Sequence, residues 1–490
     1  MSQEPRRYVD EYQNVHFLAG DAFDSGGQGE VYRTQDPDVA VKLIFGDEKG
    51  RPADAASMEK YQAPLREVRW LPLPEGLNIS IPAALLRDNA GYVMQLLSEM
   101  TSFNKSFMSA ATTAGDVPPW LDGMPDRAVK DILRYRETGG LRRRLIALYK
   151  GASLLARLHG AGLVYGDVSP NNLFISEKLE QTSVWLIDAD NIRFEDASKS
   201  MGLHTPGYGA PELVQGKDGG RPACDCHAFA VLAFLLLALA HPFIGKKAEG
   251  TGEEDWADSD QGEGTPEDKA YKGYFPWIDD RYDDSNSSEA GLPRTIILTE
   301  KLRLLFEGTF SAGRTSPGLR PAIFHWPEAL AQAADSAIIC PGCRMSYYDD
   351  AFDDCPYCQA PKPGILRLEA YPWPGPGTPL GPPCWRLARE IEGDSAIALP
   401  ERLFGAFSMI GSDTELVQLH ISEKQVRLKK TDSAKKLFVA LKAPRPSRFR
   451  PLSSSEPLKI ARNSPDLHFW LFADSGRPRL VSCSICGEPR

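Results

Sequence analysis

The stretch from Leu158 to Asp190, LHGAGLVYGDVSPNNLFISEKLEQTSVWLIDAD, constrains this chain more than any other. Asp167 is followed five residues on by Asn172, in a turn-rich loop that also holds Gly166, Pro170 and Asn171. Apolar Leu173, Phe174 and Ile175 read as a short strand, and a second strand, Val184 to Ile187, delivers Asp188 at its end. Paired as a hairpin, the two strands place Asp167, Asn172 and Asp188 around one pocket. A lone D-x-x-x-x-N is ordinarily a turn with solvated acids; a second Asp at the end of an apolar strand argues for a site. One carboxylate to orient a hydroxyl, with an amide and another carboxylate to hold metal ions, is the set that phosphoryl transfer needs.

At 490 residues the chain has room for several domains. Its 25% charged and 42% hydrophobic residues are those of an ordinary globular protein. A net charge of −10 gives no electrostatic ground for nucleic-acid binding. The start, MSQEPRRYVDEYQN, lacks the apolar segment of a secretory signal. The most apolar run, Ala228 to Ala240, falls short of the ~20 residues of a membrane helix and reads as a buried one. The expectation is a cytoplasmic protein with no membrane and no nucleic-acid partner. Four of the nine cysteines form two close pairs, which points to metal binding in a reducing compartment rather than to disulfides.

Taken in order, residues 1–12 form a polar tail, and a Gly-rich stretch runs from Asp24 to Tyr32. Glycines there let backbone approach a phosphate closely. A strand, Val39-Ala40-Val41-Lys42, follows. Leu65 to Leu71 reads as an amphipathic helix carrying Glu67, with Glu59 a second acid nearby. Gly91 to Leu97 is another strand, and Arg142 to His159 has helical apolar spacing. Residues 103–135 carry no assignable chemistry. Thr205 to Glu212 reads TPGYGAPE, and Asp225 precedes the apolar helix. Residues 247–289 are rich in acid, Gly and Ser, which predicts a mobile insertion.

These features together resemble the eukaryotic-type protein kinases, whose catalytic loop reads H-R-D-L-x-x-x-N, whose metal motif reads D-F-G and whose strand motif reads V-A-I-K. The counterparts here are Tyr165-Gly166-Asp167-Val168-Ser169-Pro170-Asn171-Asn172, Asp188-Ala189-Asp190 and Val39-Ala40-Val41-Lys42. The resemblance implies an α+β, two-lobed fold with an N-lobe at 13–97 and a C-lobe at 98–335. It implies Asp167 as catalytic base and Lys42 as the lysine on the α- and β-phosphates, held by Glu67, with Glu59 as the alternative. It implies Asn172 and Asp188 as ligands of Mg2+ (or Mn2+). An ATP site would be lined by Gly26, Gly27, Gly29, Val31, Ala40, Lys42, Met94 and Leu96. Glu212 would pair with Arg320, and Asp225 would brace the catalytic loop. The departures are Asp24 for the first loop glycine, Gly166 for Arg, Ser169 for Lys and Ala189 for Phe; Asp190 adds negative charge near the metals.

Cys340-Pro341-Gly342-Cys343 and Cys355-Pro356-Tyr357-Cys358 are two C-x-x-C knuckles separated by eleven residues, spacing suited to one tetrahedral Zn2+. They predict a small zinc ribbon at 336–363. A Pro/Gly linker at 364–383 and a β-rich domain at 384–490, a sandwich or barrel, would follow. Cys384, Cys483 and Cys486 are half of a second metal site, or buried free thiols. The loop and trailing ribbon resemble bacterial eukaryotic-type kinases. Some of these work beside a partner protein phosphatase and a von Willebrand A-type protein. The expected activity is transfer of the γ-phosphate of ATP to Ser or Thr of a protein substrate, with Ser198, Ser200 and Thr205 as autophosphorylation candidates. The alternatives are a pseudokinase scaffold that recruits partners through the ribbon and β-rich domain, and a small-molecule kinase.

Overall fold

The computed structural model of the chain describes residues 6–26, 29–44, 55–109, 117–195, 204–250, 264–373, 379–431, 436–441, 448–453, 458–461, 468–474 and 477–486. Its helices are α1 (Ala55–Arg69), α2 (Asp126–Glu137), α3 (Gly140–Gly160), α4 (Pro211–Val214), α5 (Pro222–Ala238), α6 (Pro266–Tyr271), α7 (Arg294–Ile297), α8 (Glu300–Phe310), α9 (Ala312–Thr315) and α10 (Trp326–Ser336).

The N-terminal sheet runs in the order Asp24–Gly26, Gly29–Arg33, Val39–Ile44, Gly91–Gln95, Ala84–Leu85. Side chains alternate across a strand. Val41 and Leu43 therefore join Leu18, Tyr32 and Val93 on one face. Ile44 and Tyr92 lie with Leu65 of α1 in a separate cluster. Lys42 lies cross-strand from both Val31 and Tyr92, and Ala40 from Met94.

Below this sheet, α3 and α5 form the centre of a helical layer. The α5 sequence is apolar almost all round, so it can be stable only when enclosed, and Phe229 to Ala233 are completely buried. It ends at Leu239, whose backbone turns left-handed at φ 58°. Among the described residues, no helix is long and apolar enough to cross a membrane. Against α3 lies a three-stranded sheet, Val184–Leu186, Leu173–Ser176 and Met100–Ser102, which delivers the hairpin anticipated from the sequence.

Three expectations need correction here. Within the stretch read as a polar tail, Arg7–Val9 is a strand paired with Val15–Phe17, and Asp10 is buried. Residues 264–289 of the acidic insertion are folded: α6 opens with a Thr265–Asp268 capping box, and Ala270, Trp277 and Ile278 are buried. Asn286, also buried, donates from Nδ2 to the carbonyls of Phe243 and Pro276. A few large apolar anchors outweigh the polar average of that stretch; residues 251–263 lie outside the described residues. The linker drawn at 364–383 contains a strand, Ile365–Pro372, with alternating burial. It lies inside a six-stranded sheet ordered Trp385–Glu390, Ile365–Pro372, Arg479–Cys486, His468–Ala473, Leu437–Leu441, Arg450–Pro451.

A four-stranded sheet, Ser395–Pro400, Glu415–Ile421, Gln425–Lys430 and Leu458–Ala461, completes the β-rich region. Helix α10 packs on α3 and on the strand Trp385–Glu390. The apolar core runs without a break from the helical layer through the cysteine knuckles into both C-terminal sheets. The overall architecture is mixed α and β, with several sheets and helices, as a kinase-like fold requires in general.

Candidate active site

Asp167 sits in the loop between α3 and the strand Leu173–Ser176. Asp225, at the start of α5, accepts from the backbone N–H groups of Tyr165 (2.8 Å) and Gly166 (2.9 Å) and lies 3.0 Å from His159 Nε2. The loop is thus tied at its base to two buried helices. Gly166 has φ +91°, a conformation that disfavours the Arg expected at this position. The Tyr165 hydroxyl donates to the Ile187 carbonyl, so the loop and the strand bearing Asp188 are joined directly. The Ile187 N–H donates to the Asn172 carbonyl at 3.0 Å.

Around Asp167 the partners are specific. Its Oδ2 accepts from Asn172 Nδ2 at 2.9 Å, and its Oδ1 accepts from both the backbone N–H and the hydroxyl of Thr205, each at 2.9 Å. Burial pushes the Asp167 carboxyl up; the Thr205 and Asn172 donors pull against it, and the net direction is upward. A carboxylate raised in this way and bonded to an alcohol has the form of a general base. Ser169, at the position of the family's lysine, is fully buried, and its hydroxyl has no hydrogen-bond partner.

Lys42 reaches across from the N-terminal sheet. Its ammonium donates to Asp188 and, at 2.9 Å, to Asp190. Burial works against the ammonium, but the neighbouring Tyr92, Asp190 and Asp188 outweigh it, and the pKa lies well above the usual lysine value. Asp188 is held left-handed at φ 56°, which opens the short turn Ala189–Asn191 and brings both acids to the same side.

The structure therefore brings Lys42, Asp167, Asn172 and Asp188 together, and it does not bring Glu67. Glu67 is exposed on α1. The buried side of α1 carries Leu65, against the sheet, and Val68, in the helical core, so the intervening position points outward. Glu59 is also exposed and binds Arg66 at 2.7 Å. Of the other residues assigned to ATP, Gly26 and Gly29 face each other across the first hairpin, and Gly27 lies outside the described residues. Val31 is half-buried beside Lys42, Ala40 is buried, and Met94 packs partly against Tyr92 and Leu65. The Leu96 N–H donates to the Asp38 carbonyl at 2.9 Å. Sequence reasoning missed Tyr92 altogether and saw Asp190 only as added charge. The signal was an acid two residues beyond Asp188.

Glu212 pairs with Arg320 through two bonds of 2.6 and 2.7 Å, and Arg320 also donates to the carbonyls of Gly313 and Ala223.

The four cysteines Cys340, Cys343, Cys355 and Cys358 have their sulfur atoms within 4.8 Å of one another, and none is in a disulfide. Each knuckle uses one turn twice over. The Cys340 N–H donates to the Met345 carbonyl and Arg344 N–H to the Cys340 carbonyl; Cys355 with Ala360, and Gln359 with Cys355, repeat the pattern. Arg344 and Gln359 take the same left-handed backbone, at φ 63° and 60°. The Sγ pairs stand 3.6 Å apart. A tetrahedral thiolate site with ~2.3 Å bonds has edges of ~3.8 Å, so the donor set fits a zinc-type ion. Among the described residues no metal cluster joins Cys384, Cys483 and Cys486.

No family model matches the chain. Serine/threonine-protein kinase pkn2 of Myxococcus xanthus is 26% identical over 232 residues, which is 45% of this chain and 24% of that protein. Calcium/calmodulin-dependent protein kinase type 1 of Caenorhabditis elegans is 33% identical over 87 residues, 18% of this chain and 25% of that protein. The human calcium/calmodulin-dependent protein kinase type 1B is 34% identical over 88 residues, with the same two shares. The chain thus spans about a quarter of the length of these curated relatives. Distant and partial as these matches are, they agree with the geometry of Lys42, Asp167, Asn172 and Asp188, and they link the chain to the protein-kinase superfamily.

Proposed function

We propose that the chain is an ATP- and Mg2+-dependent protein kinase that transfers the γ-phosphate to serine or threonine of a protein, itself included. The carrying observation is the Asp167 carboxylate, bonded to a threonine hydroxyl at 2.9 Å while Lys42, Asn172 and Asp188 converge beside it. In this reading Asp167 orients the acceptor hydroxyl and takes its proton, and Lys42 holds the phosphates in line. Asn172 directs its Nδ2 to Asp167, which leaves its amide oxygen, with the Asp188 carboxylate, as hard oxygen donors suited to Mg2+. When bound there, the ion would neutralise the triphosphate charge. Zn2+ on the four cysteines would be structural, since all four positions are filled by protein.

The scaffold alternative has one observation in its favour: Lys42 is engaged by two acids and has no partner among the described residues of α1. Labelled ATP and Mg2+ given to the purified chain separate the readings. Transfer to the chain itself and to a protein acceptor, lost by ~10²-fold or more in Asp167→Asn and lost in Lys42→Ala, is the expected result. Nucleotide binding without transfer would establish the scaffold. Transfer only to sugar or aminoglycoside-like acceptors would establish a small-molecule kinase. Co-purification with a phosphatase or a von Willebrand A-type protein tests the expected partners.

A further inference from the structure

We infer that Asp190, and no acid of helix α1, is the counter-ion that positions Lys42. The inference deepens the reading above, in which Lys42 holds phosphate.

The geometry carries it. Lys42 Nζ lies 2.9 Å from Asp190, and the two side chains are only 9% and 14% exposed. A buried ammonium needs a paired acid, because desolvating it alone is costly. Asp188 also touches Lys42, but its carboxylate is one of the two proposed metal donors and cannot serve both duties at full strength. Asp190 is free of that demand. Its backbone is held in the short turn Ala189–Asn191 that follows Asp188. Tyr92 is the cross-strand neighbour of Lys42, with the ammonium 5.6 Å from its ring centre. Lys42 is thus held between Asp190 and the Tyr92 ring, with neither acid of α1 beside it. The α1 acids Glu59 and Glu67 are both exposed, and Glu59 is spent on Arg66.

One consequence concerns control. A lysine held by a helix acid can be released when the helix swings away. Here a displacement of α1 leaves the Lys42–Asp190 pair intact, and the lever that can disturb it is the 188–191 turn.

Two double-mutant cycles test this. In the first, urea unfolding of the nucleotide-free and Mg2+-free protein, its cysteine site left loaded with zinc, is measured for Lys42→Met, Asp190→Asn, Glu67→Gln and the paired variants. The expected result is a Lys42–Asp190 coupling of at least fivefold in the unfolding constant and no measurable Lys42–Glu67 coupling. The reverse pattern overturns the inference. Because no catalysis is involved, this cycle reads the ion pair even in a chain that transfers no phosphate. The second cycle measures kcat/KM for ATP. If Asp190 acts through Lys42, Asp190→Asn lowers kcat/KM by tenfold or more in the wild-type background and by less than twofold in Lys42→Met, with Asp190→Glu restoring part of the loss. Additive losses would show that Asp190 acts independently of Lys42, and would overturn the positioning role. A wild-type chain that binds no nucleotide defeats the kinase reading alone, and the first cycle still decides the counter-ion.

Discussion

Arg320 is wholly enclosed, and Glu212 holds it with two bonds in a place water barely reaches. Removing one member leaves the other charged and unpaired, which costs ~3–5 kcal/mol. Arg320→Met should therefore lower the unfolding free energy by about that amount in a urea titration. The pH dependence has a definite sign. Burial raises the Glu212 carboxyl, Arg320 lowers it more, and the folded-state pKa lies below its ordinary 4.5. The pair's contribution is then fully present above pH 4.5 and fades as pH falls through the depressed value. The loss of stability in acid should be shallower in Glu212→Gln than in wild type. An equal acid slope in both would show that the pair does not set it. At this scale the sequence was informative where a motif names its atoms, as with Lys42, Asp167, Asn172 and Asp188. It named Glu67, which the structure leaves exposed, because helical spacing says which residues share a face and not which face turns toward a lysine on another element. Leu65 and Val68 took the inward face.

Elements show the same division. The first hairpin was readable from its glycines, and Gly29 illustrates why glycine is required: a Cβ there would lie 2.2 Å from the Leu43 carbonyl oxygen. Gly29→Val should weaken the pairing of 29–33 with 39–44 and cost ~1–3 kcal/mol, read as a lower urea midpoint together with weaker ATP-analogue binding. Loss of binding with an unchanged midpoint would assign the glycine to the ligand rather than to the sheet. The strand Ile365–Pro372 escaped notice because the prolines and glycines after it dominate the local composition. Its own alternation of Ile365, Leu366, Leu368 and Ala370 was the usable signal. The knuckles, by contrast, were fully legible, since thiolate ligands at short spacing leave few other uses. The purified chain should carry one zinc per molecule by elemental analysis. Chelation, or Cys343→Ser, should lower the melting temperature. A metal-free chain with unchanged melting would rule out a structural ion.

Across the whole molecule, the ribbon at 336–363 and the β-rich region at 384–490 share one apolar core with the helical layer. Asp335 of α10 is buried and binds Arg389, Arg402 and the Trp385 indole N–H, all three from the C-terminal region. Burial raises its carboxyl, and the two arginines bring it below the ordinary value. Arg142 of α3 makes a second bridge, to Glu390 at 2.7 Å. Buried ion pairs that cross a boundary cannot be cut without stranding a charge. Expressed alone, residues 1–363 should be insoluble or unfold without a cooperative transition by calorimetry. A well-behaved, cooperative fragment would support an independent-module view instead. Sequence could not show this, because a contact between α10 and a strand fifty residues away has no local pattern.

The strand Arg479–Cys486 lies between Ile365–Pro372 and His468–Ala473, in the interior of its sheet. During synthesis, Ile365–Pro372 emerges well before Arg479–Cys486, the strand that pairs along its other edge. Until then Ile365–Pro372 presents an open edge, so a chaperone, or a translational pause between the two strands, would have its greatest influence there.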